Sequence, residues 1–223
     1  MRVFLNLLLP SPKTAANSTD FSYIVENHLL KKLLYFIVLS LLGLVLGAVW
    51  ASRSIQAAGQ DENLILRNAE WGYFASMDLA EDDLQRAFIG RIGLFALQDS
   101  EAIYFIANQD SEGEPLNAKN EYLIEGQVLD ATYWSITVYG EDHFLIPNKE
   151  KKFSYNQVNV QYWDSLKRQY RIHLGGTKTA ENYLPIRGEQ KINLLLRLYQ
   201  PSPSLYANRD RITLPTIKRM GNE

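Results

Sequence analysis

The sequence contains no cysteine. This absence excludes disulfide bonds, thiolate metal sites and cysteine nucleophiles. Histidine is also scarce, since only His28, His143 and His173 occur, and neither an HxH nor an HExxH spacing is present. Such spacings are typical of histidine metal sites. We therefore expect neither a metal site nor a cofactor.

Recognisable catalytic motifs are lacking as well. Ser135 lies in a predicted strand rather than in a GxSxG turn, so a triad with His143 and Asp130 is not favoured. No glycine-rich phosphate loop occurs, and Gly175-Gly176 indicates a turn. The formal net charge is -2, although residues 1–32 alone carry +2. The rest of the chain is therefore acidic, which argues against a nucleic-acid partner.

One long apolar run is present at residues 33–51, LLYFIVLSLLGLVLGAVWA, without a single charge. A helix of this length spans about 28 Å, close to the hydrocarbon core of a bilayer. Tyr35 and Trp50 lie near its two ends, where aromatic side chains favour the membrane interface. We predict a transmembrane helix, and a buried core helix is the alternative.

The charges that flank this run predict its orientation. Lys31 and Lys32 precede it, whereas Arg53 and then Asp61 and Glu62 follow it. The positive-inside rule then places residues 1–32 in the cytoplasm and the C-terminal domain outside. We expect the membrane to be the inner membrane of a bacterial cell. A cleaved signal peptide is the alternative, but the run exceeds the usual apolar length and Val49-Trp50-Ala51 is a poor cleavage site.

Small residues recur at four-residue intervals in the predicted span. Gly43, Gly47 and Ala51 share one helix face, and such a face lets two helix backbones approach closely. This pattern favours a homo-oligomer that forms through the transmembrane helix. The bilayer is the other predicted partner.

The region after the span changes from helical to strand patterning. Residues 52–69 form a predicted tether, and Asp78 to Glu81 resembles a capping box for a helix from about residue 79 to the low 90s. Apolar and polar residues then alternate in several short segments separated by turns. These strands are residues 103–107, 121–126, 131–139, 143–146, 158–162, 170–174 and 192–199. We predict that residues 70–223 form a mainly β sandwich or jelly-roll-like domain with a short N-terminal helix.

Arg197 is the most unusual polar residue of these strands. Alternation places it opposite the face formed by Leu194, Leu196 and Leu198. An internal salt bridge is the favoured interpretation, and Arg197→Met should then cost about 3–5 kcal/mol. The alternative is a clamp for a carboxylate or phosphate.

Several aromatic residues in other segments are candidates for a ligand platform. The null hypothesis is that they pack in the core. The complete set of candidate ligand-binding residues is Trp134, Tyr139, His143, Tyr183, Arg197 and Tyr199.

Six segments together resemble a known family, the domain of unknown function numbered 1214, which often follows the domain numbered 1254. The segments are RAFIGRIGLFAL (86–97), residues 101–126, YWSITVYG (133–140), ENYLPI (181–186), LLLRLYQP (194–201) and LPTIKRM (214–220). Three features depart from the family pattern: Tyr183 stands where the family usually has Trp, the turn reads Gly175-Gly176-Thr177, and the span replaces the upstream domain. The resemblance implies a mainly β fold but no established reaction.

The leading hypothesis is thus a membrane-anchored envelope module that binds an unknown ligand or partner without catalysis. The alternative is an envelope hydrolase acting on a lipid-like or glycan substrate, with His143 or His173 beside nearby carboxylates.

Overall fold

The computed structural model describes residues 18–59, 65–75, 83–92, 94, 97–98, 100–176, 180–188 and 190–221, with side chains in the first range described from residue 28 onward. Backbone contacts separate the chain up to Ser52 from the chain that begins at Arg53. The two units are described in turn.

Helix α1, Ser18–Ala58, is 41 residues long and contains the whole predicted span. From His28 onward it has a mean hydropathy of 2.5 in its most apolar window, and none of that window is buried against protein. A core helix of a water-soluble protein would cover these side chains. The helix therefore meets the requirements of length and composition for crossing a membrane.

The second unit is mainly β, as the sequence predicted. Its elements are β1 (Ile65–Asn68), β2 (Trp71–Phe74), α2 (Asp83–Arg91), β3 (Ala102–Ala107), β4 (Tyr122–Gln127), β5 (Ala131–Gly140), β6 (Ser154–Asn156), β7 (Gln169–Leu174), β8 (Tyr183–Leu184), β9 (Ile192–Pro201), α3 (Pro203–Ala207) and β10 (Thr216–Arg219). Six strands form one sheet in the order β1-β2-β3-β9-β5-β6, and four form a second in the order β10-β4-β7-β8. All pairs are antiparallel except β7 and β8.

The two sheets share one core, which makes the unit sandwich-like. Trp134 of β5 stacks on Tyr170 of β7, with ring centroids 4.5 Å apart and ring planes inclined by 18°. Leu194, Leu196 and Leu198 of β9 lie in the same buried cluster. Successive side chains of a strand point to opposite faces. Because the leucine row faces the core, the other side chains of β9 point to the outside of the sandwich.

Helix α2 covers part of that outer face. Ile89 of α2 is fully buried in a second cluster that includes Phe74 of β2, Tyr104 of β3 and Leu195 of β9. Among the described residues of β5, the partly buried Tyr139 packs against this second cluster. This outer face of β5 and β9 is where Arg197 lies.

Two predicted strands are wrong. Residues 143–146 and 158–162 form turns and bends, with only the isolated bridges Tyr139↔Leu145 and Tyr162↔Tyr170. Asn and Asp side chains bond to nearby backbone groups there, and such bonds compete with strand pairing. The predicted capping box lies outside the described residues.

Candidate functional site

Arg197 is held on the outer face of the six-stranded sheet, between the strands on either side. In the strand register it is opposite Tyr104 of β3 and opposite Ser135 of β5. The side chain is half-buried. The predicted position opposite the leucine row of β9 is thus confirmed.

The guanidinium group of Arg197 binds two hydroxyl groups of β5. Nη1 donates to Oγ1 of the buried Thr137 at 3.3 Å, and Nη2 donates to the phenol oxygen of Tyr139 at 2.9 Å. The guanidinium carbon also lies 5.6 Å from the ring centroid of Tyr139. These contacts fix the orientation of the planar guanidinium on the sheet.

Both hydroxyl partners of Arg197 are neutral. Among the described residues no carboxylate pairs with Arg197, so the predicted salt bridge is absent there. Arginine has five N–H donors and is always charged, and neutral hydroxyls leave the positive charge uncompensated. Such a group is suited to bind an anion.

Further tyrosines lie on the strands next to Arg197. Burial is the main reason that the pKa of Tyr104 is raised to about 12. The neighbouring Tyr199 and the carboxylate of Glu101 also raise this pKa, whereas the positive charge of Arg197 lowers it. The phenol of Tyr104 therefore keeps its proton near neutral pH. The rings of Tyr133 and Tyr199 lie 5.8 Å apart, next to each other on β5 and β9.

The candidate site lies in a segment that matches a known protein family. Residues 101–203 match the family DUF1214, described as a protein of unknown function. The resemblance seen in the sequence is thus confirmed for this segment. The DUF1214 segment contains Arg197 and the surrounding hydroxyl groups on β3, β5 and β9.

Two solved structures are similar to the chain. The crystal structure of the VPA0106 protein from Vibrio parahaemolyticus aligns with a TM-score of 0.51 at 23% identity, over 62% of this chain and 35% of that one. An uncharacterized protein from Burkholderia cenocepacia aligns with a TM-score of 0.37 at 15% identity, over 79% of this chain and 42% of that one. The chain thus spans less than half the length of either protein, and the first likeness shows the fold alone. No curated protein matches the sequence.

Only part of the predicted ligand platform assembles within the DUF1214 segment. Tyr139, Arg197 and Tyr199 share the outer face of the six-stranded sheet. Trp134 instead lies in the core between the sheets, and Tyr183 is buried in β8 of the other sheet. His143 follows β5 in a turn with a φ of 65°. Trp134 and Tyr183 are thus buried, away from the outer face on which Arg197 lies.

The hydroxyl-bearing neighbours Tyr104, Tyr133 and Thr137 were not predicted as site residues. Their alternation was visible in the segments IYFIA and ATYWSITVY. Which of them lies beside Arg197 depends on the register of β3, β9 and β5, and register is decided by pairing in the folded chain.

The residues considered for catalysis do not converge in the DUF1214 segment. Asp130 precedes β5 and His143 follows it, so this strand of about 30 Å separates them. His173 lies in β7 of the other sheet, where it pairs with Tyr183. No group of three or more metal-ligating side chains occurs within the part of the chain that the structure describes.

Proposed function

We propose that the chain is a single-pass membrane-anchored protein of the bacterial cell envelope, and that its β domain is a noncatalytic module that binds an anionic ligand. The observation that carries the ligand class is the uncompensated guanidinium of Arg197 among neutral hydroxyl groups. The anchor is residues 33–51, and the lysine pair before it favours a C-terminal domain outside the cytoplasm.

The charge-free run within α1 supports the anchor. Burying about 19 apolar residues in lipid is strongly favourable, and an α-helix satisfies its own backbone hydrogen bonds there. The helix continues on both sides of the run, from Ser18 to Ala58. A helix that extends beyond the apolar run suits an uncleaved anchor better than a removed leader.

The geometry around Arg197 supports binding of a carboxylate or phosphate. The guanidinium plane matches two oxygens of such a group, and the protonated phenol of Tyr104 belongs to the residue opposite Arg197 on β3. The hydrolase alternative is less favoured, because the described acid, base and nucleophile candidates are spread over both ends of β5 and over two sheets.

The test is ligand-induced stabilisation of the full-length protein in detergent, with inorganic phosphate and glucuronate as probes and glucose as the uncharged control. An anion at 100 times its Kd stabilises the folded state by about 2.7 kcal/mol, which raises the melting temperature. Arg197→Gln should abolish this rise. Arg171→Gln is the matched control, because Arg171 is paired with Glu125 on the other sheet.

Equal stabilisation of the wild type and of Arg197→Gln would refute the Arg197 site. Stabilisation by glucose as strong as that by glucuronate would refute an anionic ligand class. Loss of the effect in Arg171→Gln alone would move the site to the four-stranded sheet.

A further inference from the structure

The connection between β6 and β7, residues 157–168, presents large apolar side chains to solvent. Val158 is 82% exposed, Leu166 73% and Trp163 54%. One exposed apolar residue is common on protein surfaces, whereas three within residues 158–166 make this connection a candidate binding surface. We call these three residues the apolar tips.

The first tip is held in place by a fixed turn. The Asn156 side-chain oxygen accepts hydrogen bonds from the backbone N–H groups of Val158 at 2.9 Å and Asn159 at 3.2 Å. The Asn159 side-chain oxygen accepts one from the backbone N–H of Asn156 at 2.7 Å. These reciprocal bonds close the turn around Val158.

The second turn is held by a carboxylate. Asp164 Oδ1 accepts from the backbone N–H groups of Gln169 at 2.7 Å and Arg168 at 2.8 Å. These bonds lower the pKa of Asp164, that from Gln169 most strongly, so the group stays ionised. The residue Lys167 completes the turn with a φ of 54°, and Leu166 lies at its tip.

A further side chain fastens the segment between the two turns. The buried Asn182 accepts from the backbone N–H of Gln161 and donates to its carbonyl oxygen, both at 2.7 Å. These hydrogen bonds fix the backbone of the connection, so Val158 and Leu166 are held in exposed positions. Hydrogen bonds that hold apolar side chains in water point to a use for that exposure.

We propose that the apolar tips dock into the surface of a lipid bilayer, an inference that rests on the proposed membrane anchor. Lys167 and Arg168 follow Leu166 directly and can bind lipid phosphates, while a tryptophan such as Trp163 favours the membrane interface. Such a combination of apolar, aromatic and basic side chains is typical of interfacial binding.

The position of the tips in the chain also favours a lipid partner. Strand pairing places the end of β6, where the connection starts, at the same end of the six-stranded sheet as the start of β1. Ile65, the first residue of β1, follows the end of the proposed span by only fourteen positions. Because this stretch of chain is short, the proposed anchor holds the domain close to a bilayer surface.

The absence of cysteine allows a direct test with single labels. Leu166→Cys, Phe144→Cys and Leu42→Cys are each made in the full-length protein and labelled with an environment-sensitive fluorophore. Phe144 is the matched control, because it is 74% exposed and follows the C-terminal end of β5. That end of the six-stranded sheet is opposite to the end at which the connection after β6 starts. Leu42 lies in the middle of the proposed span. The proteins are placed in nanodiscs of phosphatidylcholine and phosphatidylglycerol, and quenching by nitroxide-labelled lipids is measured.

We expect the labels at positions 42 and 166 to be quenched by lipid and the label at position 144 to remain unquenched. The emission of the label at 166 should also shift to the blue, because interfacial segments lie about 5–10 Å into the headgroup boundary. All three side chains are exposed, so equal melting temperatures of the variants serve as the folding control.

Three outcomes would overturn the proposal. Quenching at 42 without quenching at 166 refutes docking and leaves the anchor intact. No quenching at either position refutes docking together with the anchor. A blue shift at 166 without lipid quenching shows that a protein surface, such as a second copy of the chain, covers the tips instead. None of these outcomes depends on anion binding at Arg197.

Discussion

Replacement of Arg197 by methionine tests the central feature of the candidate site. The substitution removes the two hydrogen bonds to Thr137 and Tyr139 and the contact with the ring of Tyr139. Methionine keeps an unbranched apolar stem of similar reach, so packing against β5 is largely retained. The change therefore isolates the guanidinium group.

The structure sets the size of the effect. A hydrogen bond to a charged group contributes about 1.5–3 kcal/mol when it is well buried. Arg197 is only half-buried, so water replaces part of what is lost, and removal of an uncompensated charge offsets more. We expect a net loss of about 1–2 kcal/mol in the free energy of unfolding. The salt bridge predicted from the sequence implied about 3–5 kcal/mol, and the structure lowers that expectation because the partners are neutral.

The measurement is urea-induced unfolding of the full-length protein in detergent, followed by tryptophan fluorescence from the buried Trp71 and Trp134. Arg171→Met is the control for loss of an exposed ion pair, where the side chains of Arg171 and Glu125 are 51% and 26% exposed. Such pairs contribute about 0–1 kcal/mol. A loss of 3–5 kcal/mol for Arg197→Met would refute the reasoning, since it would require a buried carboxylate partner for Arg197.

Three further predictions concern packing, assembly and topology. Gly126→Ala should destabilise the domain by about 1–3 kcal/mol in urea unfolding, because the added Cβ would lie 2.6 Å from the buried ring of Tyr170. Gly90→Ala, which meets nothing within 4 Å on α2, should instead stabilise it by about 0.5–1 kcal/mol, and the same sign for both changes would contradict this argument. Replacing Gly43 and Gly47 together by isoleucine should reduce self-association of the span in a membrane two-hybrid assay without affecting insertion, and unchanged association would rule out this packing face. A reporter that is active only outside the cytoplasm should be active when fused after the last residue, whereas activity of a cytoplasmic reporter alone would reverse the orientation.

The strands with strict alternation were predictable from the sequence. The segments 131–139 and 192–199 appear as β5 and β9, and Trp134, Ile136 and Val138 face the core as the pattern required. The short strands β1, β2, β6, β8 and β10 were not predicted. Strands of two to four residues contain too few alternations to stand out, and pairing with a neighbour decides whether they form.

One loop was wrongly predicted to be a strand. Val158, Val160 and Tyr162 alternate with polar residues and were predicted to form a strand, but Asn156, Asn159, Asp164 and Asn182 bond to the backbone there. Local side-chain bonds of this kind satisfy backbone groups that a sheet would otherwise use. The same bonds create the braced turns that expose the apolar tips.

Local composition and periodicity were enough to predict several features of the protein. The charge-free apolar run, the mainly β character of the domain and the position of Arg197 opposite the leucine row all follow from neighbouring residues. The tertiary structure alone decided which residues surround Arg197, because strand register brings together Tyr104, Ser135 and Arg197 from distant segments. It also decided that Trp134 packs in the core on Tyr170, and that Arg197 binds neutral hydroxyl groups. The physical reason is that alternation specifies two faces of a strand, whereas the partner on each face is selected only when the sheets pair and pack.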